Sequence, residues 1–261
     1  RVVSLAQMEW LAEDLAAVAD KTAPLVICLH VQLHENYNAS FANTVKMSSA
    51  TGGTAALLNA VKEFSEVHFM TGHTHHNATM VINDRVIEHN PAGYGIYTVN
   101  ATDVKWSYKG IGEPAGYQFR TYDMNTVKKH LDNNVYKSYL KQYSSRRNDG
   151  DDYGTVGENV VYVNVWNYDP AWTVEVKENG VPLPATRVFD RDPLHTITFD
   201  IPRVEAKYEA NSDWASCCSS HMFSATASSA SSELEITVTD RFGNVYSERM
   251  QRPKAYVKSM K

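Results

Sequence analysis

The sequence Gly72-His73-Thr74-His75-His76-Asn77 follows the apolar run Val67-His68-Phe69-Met70, so two imidazoles one residue apart fall where a buried strand should end. In a His-x-His pattern the two rings can meet at one point only if the backbone bends. A glycine directly before them has no Cβ and should allow that bend. Because neutral imidazole is a common ligand of zinc-like and iron-like ions, this stretch predicts half of a metal site.

A further histidine, His30, ends the most apolar run of the chain, Leu25-Val26-Ile27-Cys28-Leu29. His30 and His73 are therefore both expected at the carboxyl ends of strands, where open α/β sheets bind their ligands. A single histidine at a strand end is more often an ordinary polar residue, and it is the cluster that favours a ligand role. We predict His30, His73 and His75 as metal ligands.

The composition limits the class of protein. A chain of 261 residues, of which 43% are hydrophobic and 21% charged, predicts an ordinary globular protein of two domains. No apolar run approaches the ~20 residues of a membrane span. A net charge of -5 without a concentrated basic cluster argues against a nucleic-acid surface. The three cysteines cannot form a disulfide framework.

The first 90 residues read as helix, strand, helix, strand and hairpin. Ser4 and Gln7 have the spacing of a capping box at the start of the first helix. The apolar runs are short enough to be buried strands of a parallel sheet. Between them, the polar stretch 34–53 is long for a loop and is expected to line the site. The predicted segments are a helix at 5–19, a strand at 25–31, a helix at 57–64, a strand at 67–70 and a hairpin at 80–87.

This part of the chain resembles the second half of a calcineurin-like metallophosphoesterase. The resemblance rests on Gln7-x-x-Trp10-Leu11, on the strand ending in His30 and on Gly72-His73-x-His75. It implies an α/β fold in which two sheets pack between helices, as an αββα sandwich, with two metal ions at the strand ends. Relatives usually follow the first histidine with His and Pro, whereas Val31 and Gln32 stand here.

The resemblance also implies a function, the hydrolysis of phosphoesters with two metal ions of the Fe, Zn or Mn class. His30 and His73 would bind one ion and His75 the other, while His34 and His76 would contact the phosphate. The substrate would be a phosphorylated small molecule or a phosphoprotein, and no catalytic residue is identifiable. The earlier family motifs D-x-H, G-D-x-x-D and G-N-H, which supply bridging carboxylates, do not occur. We expect them upstream of Arg1, and we expect these 261 residues alone to be inactive.

From Gly116 onward, short alternating runs separated by turns predict a small antiparallel sandwich. We place the domain boundary so that residues 1–112 belong to the phosphoesterase part and residues 113–261 to an all-β domain. A helix is expected within 127–139, an exposed loop at 144–157 and a tight turn at Glu178-Asn179-Gly180. Strands are expected at 160–166, 172–176, 196–199, 234–238 and 245–250.

The second half resembles the C-terminal domain of bacterial envelope-associated phosphoesterases, which implies a periplasmic or cell-surface location. The residues that carry this resemblance are 162–169, Ser220-His221-Met222-Phe223, 240–244 and Arg252-Pro253. Relatives carry a Gly- and Trp-rich stretch where Asn90 is followed directly by Pro91 here. Either the protein is shortened at this point or residues are missing.

Two other functions remain open. The chain could be a non-catalytic surface module whose sandwich binds a glycan or a protein. It could also be a hydrolase with one metal ion, held by three histidines and a water molecule. Metal stoichiometry separates the three hypotheses, because they require two ions, none and one.

Overall fold

The fold is described here from a computed structural model, for residues 2–143, 153–206 and 218–257. It is mixed α/β, with several β-sheets and short helices, and it divides into two compact units. The first unit comprises Arg1–Asn36, Phe41–Ala115 and Asn167–Pro170, and the second comprises Tyr37–Ser40, Gly116–Trp166 and Ala171–Lys261. Among these residues, no helix has both the length and the apolar character needed to cross a membrane.

The first unit contains two helices and eight strands in its described residues. They are α1 (Leu5–Ala17), β1 (Leu25–Val31), β2 (His34–Glu35), β3 (Thr44–Val45), α2 (Thr54–Ala60), β4 (Val67–Gly72), β5 (Ala78–Asn83), β6 (Val86–Asn90), β7 (Tyr94–Val99) and β8 (Val104–Lys109). The capping box at the start of α1 is confirmed, since the Ser4 hydroxyl accepts from the Gln7 N–H and the Gln7 side chain accepts from the Ser4 N–H. The polar stretch 34–53, predicted as loop, includes the short paired strands β2 and β3.

The main sheet of this unit has the strand order β1-β4-β6-β5. Strands β1, β4 and β6 run parallel, as the apolar runs predicted, and β5 and β6 form the predicted antiparallel hairpin. One face of the sheet packs on a core to which both helices contribute. This core contains Leu11, Leu15, Leu33, Leu57, Val61, Phe64, Val67, Phe69 and Val86.

The prediction that β1 is a fully buried strand is wrong. Its side chains alternate, so that Leu25, Ile27, Leu29 and Val31 pack against the core whereas Val26, Cys28 and His30 are exposed. β1 is the end strand of the sheet, and its second face is left largely open to solvent. The β7–β8 hairpin instead places the Trp106 ring against His68 and His89, on β4 and β6.

The second unit contains two four-stranded antiparallel sheets, consistent with the predicted sandwich. Their strand orders are β13-β14-β10-β9 and β12-β11-β15-β16. The strands are β9 (Phe119–Asp123), β10 (Val160–Val165), β11 (Thr173–Glu178), β12 (Val181–Leu183), β13 (Thr186–Arg191), β14 (Cys218–Thr226), β15 (Leu234–Thr239) and β16 (Val245–Met250). A hydrogen bond of 2.9 Å from the Thr121 hydroxyl to Glu248 joins the two sheets.

Helices cover one face of the first of these sheets. They are α3 (Met124–Leu131), α4 (Asn134–Tyr143), α5 (Pro193–His195), a π-helix (Thr196–Asp200) and α6 (Ile201–Glu205). The predicted helix within 127–139 is therefore two helices. The predicted loop 144–157 lies partly outside the described residues, which resume with a 3-10 turn at Tyr153–Thr155.

The predicted strand at 196–199 is wrong. The segment Thr196-Ile197-Thr198-Phe199 has β-forming residues, but it continues a helix that begins at Asp192-Pro193. The Asp192 carboxylate accepts from the His195 N–H at 2.8 Å, and proline at the first helical position favours the helix start. Ile197 then packs into the core beneath the helices, so tertiary packing outweighs intrinsic propensity.

Candidate metal centre

His30 and His73 lie next to each other at the ends of two parallel strands. Strands β1 and β4 pair so that Val31 is opposite Gly72, which brings the residue before Val31 and the residue after Gly72 together. The distance from His30 Nε2 to His73 Nδ1 is 3.1 Å, and the two rings meet edge to face with centroids 5.0 Å apart. The expected convergence of two strand-end imidazoles is present.

This spacing fits two ligands of one metal ion. Two nitrogens bound to one tetrahedral ion at bond lengths of about 2.0 to 2.1 Å lie about 3.3 Å apart. The observed 3.1 Å therefore needs little movement of either ring. At this distance the same two nitrogens form a hydrogen bond, in which one nitrogen donates and the other accepts.

His75 lies on the same turn but does not join this pair. The bend falls on His73 and His75, whose φ angles of 70° and 59° are left-handed, rather than on Gly72. The expectation that Gly72 provides the bend is wrong, because Gly72 is the last residue of β4 and a Cβ there would meet the His30 carbonyl oxygen at an ordinary 3.7 Å. His75 is exposed. No three His, Cys, Asp or Glu side chains in the described ranges are arranged to hold one ion.

The turn that carries these histidines is attached to the neighbouring strand. The Asn90 side-chain amide, at the end of β6, donates to the Thr74 hydroxyl between His73 and His75. Asn90 is only 2% exposed, so this attachment is shielded from water. His76, predicted to contact phosphate, is partly buried on the same turn, and that role stays a prediction.

His34, the other residue predicted to contact phosphate, is tied to a buried carboxylate. Its side chain is 7% exposed, and its Nδ1 lies 3.1 Å from Oε2 of Glu88, which has no exposed surface. The His34 N–H donates to the same oxygen at 3.1 Å. Through Nδ1 the ring is therefore held against Glu88, and contact of His34 with a phosphate stays a prediction.

Gln32 is an unusual buried group close to His30 in the chain. It follows the last residue of β1 directly and stands between Val31 and Leu33, which both contribute to the core. The residue is 2% exposed, and its Oε1 has no hydrogen-bond partner in the described part of the chain. A buried oxygen without a donor is costly.

Two buried histidines that the sequence did not single out lie on the opposite face of β4 and β6 from Glu88. The rings of His68 and His89 stack at 5.2 Å, and Trp106 contacts both of them. Tyr97 packs edge-on against His89. Burial, with a smaller contribution from the nearby Cys28 thiol, raises the pKa of Tyr97 to about 12. The position of His68 on a predicted strand could have indicated its burial, whereas His89 lies beyond the predicted hairpin at 80–87, and no local pattern indicated that the two rings pair.

A family model described as the C terminal of calcineurin-like phosphoesterase matches residues 86–246. The chain belongs to this phosphoesterase family. No curated protein and no solved structure matches it. The match in this calcineurin-like chain begins in β6 and ends in β16, so it includes Glu88, His89 and Asn90 but not His30 or His73. The expected relation to calcineurin-like phosphoesterases is confirmed, whereas the envelope-domain resemblance and the periplasmic or surface location stay predictions.

Proposed function

We propose that this chain takes part in metal-dependent phosphoester hydrolysis, and that His30 and His73 donate two nitrogens to one metal ion. The observation that carries the proposal is the 3.1 Å distance between His30 Nε2 and His73 Nδ1 at the ends of β1 and β4. Membership of the calcineurin-like phosphoesterase family supports the same proposal independently of this distance.

The chemistry of such a centre divides between the ion and the protein. A bound ion would polarise a phosphoryl oxygen and lower the pKa of a coordinated water. The chain's own residues hold the two imidazoles in place, since β1 and β4 fix their backbones and Asn90 fixes the turn through Thr74. Metal affinity depends on this positioning, because ligands held in advance lose less freedom when the ion binds.

The two-ion centre that the family resemblance implies is part of this proposal. His75 is exposed on the same turn and would serve the second ion. Two dications a few Å apart repel each other strongly and need anionic ligands between them. The motifs that supply such carboxylates in relatives do not occur in these 261 residues. We therefore expect the chain alone to bind metal without rapid turnover of an aryl phosphate.

Metal binding tests the ligand assignment. We expect Zn²⁺ or Co²⁺ to bind with an affinity that falls at least tenfold in His30→Ala and in His73→Ala. His195→Ala is the control, because His195 is an exposed histidine of the second unit. Equal affinity in all three variants, or no binding to the parent chain, would overturn the assignment. The number of ions bound separates a two-ion centre from a one-ion site.

A phosphate probe tests the reaction class. We expect inorganic phosphate to change the visible spectrum of the Co²⁺-loaded chain, because a phosphoesterase site must accept a phosphoryl oxygen beside the ion. The change should be absent from His73→Ala at a Co²⁺ concentration that saturates the parent. An unchanged spectrum at millimolar phosphate would contradict the phosphoester assignment while leaving metal binding intact. Substrate profiling then distinguishes a phosphomonoester, a phosphodiester and a phosphoprotein as the substrate.

A further inference from the structure

The carboxylate of Glu88 is fully enclosed on β6, the strand that pairs with the His73-bearing end of the sheet through β4. Glu88 lies in the middle of β6 and has 0% exposure. A carboxylate that is removed from water must be matched by hydrogen-bond donors, since an unmatched one is costly to bury. Both oxygens of Glu88 have donors, and those donors come from two different strand ends.

One set of donors belongs to the segment that follows His30. The Leu33 N–H donates to Oε1 at 2.7 Å, and the His34 N–H donates to Oε2 at 3.1 Å. The His34 ring adds its Nδ1 to Oε2, also at 3.1 Å. Three contacts from two consecutive residues fix where the chain goes immediately after β1.

The other donor belongs to the segment that precedes His73. The Thr71 hydroxyl lies 3.2 Å from Glu88 Oε1 and 3.1 Å from the His89 carbonyl oxygen, both of which are on β6. Thr71 is 8% exposed and is two residues before His73. The same carboxylate therefore contacts the chain on the C-terminal side of His30 and on the N-terminal side of His73.

We propose that Glu88 is a positioning residue that sets the spacing between His30 and His73 by holding both strand ends on β6. The proposal rests on the proposed function in one respect, that the pair binds a metal ion. Glu88 would act through its hydrogen bonds to the two strand ends and not as a metal ligand. Removing an outer contact that positions metal ligands typically lowers metal affinity 10- to 100-fold.

An acceptor-only group is required at this position. A carboxylate offers about four lone-pair sites and no donor, which matches the donors that surround Glu88. A glutamine of the same shape would place an NH₂ group either against the Leu33 N–H or against the His34 N–H. One of these backbone groups would then face a donor, and the segment 32–34 would have to shift.

The decisive measurement is made on the metal-free chain. In that state one of the two ring nitrogens 3.1 Å apart carries the shared proton and the other accepts it, and ¹⁵N NMR of the histidine rings reports which. We expect Glu88→Gln to alter the ring signals of His30 and His73 and to weaken Zn²⁺ binding at least tenfold. This readout does not need the loaded protein or any catalytic activity.

Thr71 provides a milder test in case Glu88→Gln fails to fold. Thr71→Val removes only the hydroxyl and should move the His73 signals with a smaller loss of Zn²⁺ affinity. Thr71→Ser keeps the hydroxyl and should restore both. Glu178→Gln is the matched control, because Glu178 is a buried glutamate of the second unit that accepts from the Ser228 N–H and hydroxyl.

Unchanged His30 and His73 signals in folded Glu88→Gln and Thr71→Val would overturn the positioning role. So would an equal effect of Glu178→Gln, which would show a general loss of stability. If the parent chain binds no Zn²⁺ but the ring signals respond as expected, the proposed metal function fails and the structural relation between Glu88 and the histidine pair stands.

Discussion

His68 Nδ1 lies 2.9 Å from His89 Nε2, and the two fully buried rings stack at an angle of 20°. The other nitrogen of His68, Nε2, lies 2.8 Å from Oε1 of Glu66. An ionised carboxylate can only accept, so His68 donates from Nε2; when both rings are neutral, its Nδ1 then accepts from the His89 Nε2–H. The carboxylate of Glu66, a side chain that is 29% exposed, thereby sets the tautomers of two buried rings.

This chain of hydrogen bonds predicts a non-additive pair of substitutions. His68→Leu should destabilise the first unit by about 1 to 3 kcal/mol, because it leaves the buried His89 N–H without this acceptor. Replacing both histidines by leucine should cost less than the sum of the single changes, since the double variant leaves neither half of the bond behind. Urea denaturation with amide exchange of β4 and β6 provides the measurement. Strict additivity would show that the two rings do not depend on each other.

The left-handed residues of the histidine turn predict an unusual preference for glycine. A non-glycine residue in this conformation costs about 1 to 2 kcal/mol, and glycine avoids most of that cost while losing about 0.5 to 1 kcal/mol of chain entropy. His73→Gly should therefore be slightly more stable than His73→Ala, and His75→Gly more stable than His75→Ala. At His76, whose φ is not positive, alanine should be the more stable of the two. Thermal denaturation of the six variants checks the pattern, and the same order at all three positions would contradict it.

The turn between β11 and β12 predicts a specific role for Gly180. Its φ is 77° and that of Asn179 is 52°, the left-handed pair that a tight antiparallel turn requires. Gly180→Ala should destabilise the second unit by about 1 kcal/mol. Gly116→Ala is the matched control, because Gly116 has no positive φ and no atom within 4 Å of an added Cβ. Equal urea midpoints for the two variants would show that the turn tolerates a side chain.

The partly buried phenol of Tyr97 predicts a loss of stability at alkaline pH. Burial first, and the Cys28 thiol second, raise the pKa of Tyr97 to about 12 from an ordinary value near 10. The folded state therefore favours the neutral phenol. Its contribution to stability is complete below pH 10, where neither state is ionised, and is lost as the pH rises from about 10 to about 12.

Two substitutions test this window. In Tyr97→Phe the fall in the urea midpoint between pH 9 and pH 11 should be smaller than in the parent, and absorbance at 295 nm should show one fewer late-titrating tyrosine. Tyr246→Phe should change the absorbance in the same way without protecting the first unit, because burial and Asp240 raise the pKa of Tyr246, in the second unit, to about 12. An identical pH response of Tyr97→Phe and the parent would contradict the assignment.

The features that the sequence predicted are those set by local patterns. Apolar runs of strand length placed β1 and β4, and parallel pairing then brought His30 and His73 together. The capping box at Ser4 and the Asn-Gly turn at Gly180 are likewise short-range signals with a direct physical cause.

The features that the sequence did not predict depend on distant contacts. Glu88 is an isolated glutamate in a strand, and its role becomes visible only when residues 33, 34 and 71 surround it. The contact between the His34 ring and that carboxylate likewise joins residues 54 positions apart, so no local pattern indicated it. The left-handed backbone of His73 and His75 is uncommon for residues other than glycine, so residue preference indicated the neighbouring glycine instead.

The exposed face of β1 also offers a natural place for an optical reporter. Cys28 is exposed and lies two residues before His30 on the same face, which puts their Cα atoms about 6.6 Å apart in an extended strand. Cys218, the other cysteine among the described residues, is buried. A thiol-reactive fluorophore attached at Cys28 would thus sit within quenching range of a paramagnetic ion held by His30 and His73. Occupancy of the strand ends could then be followed by emission in real time.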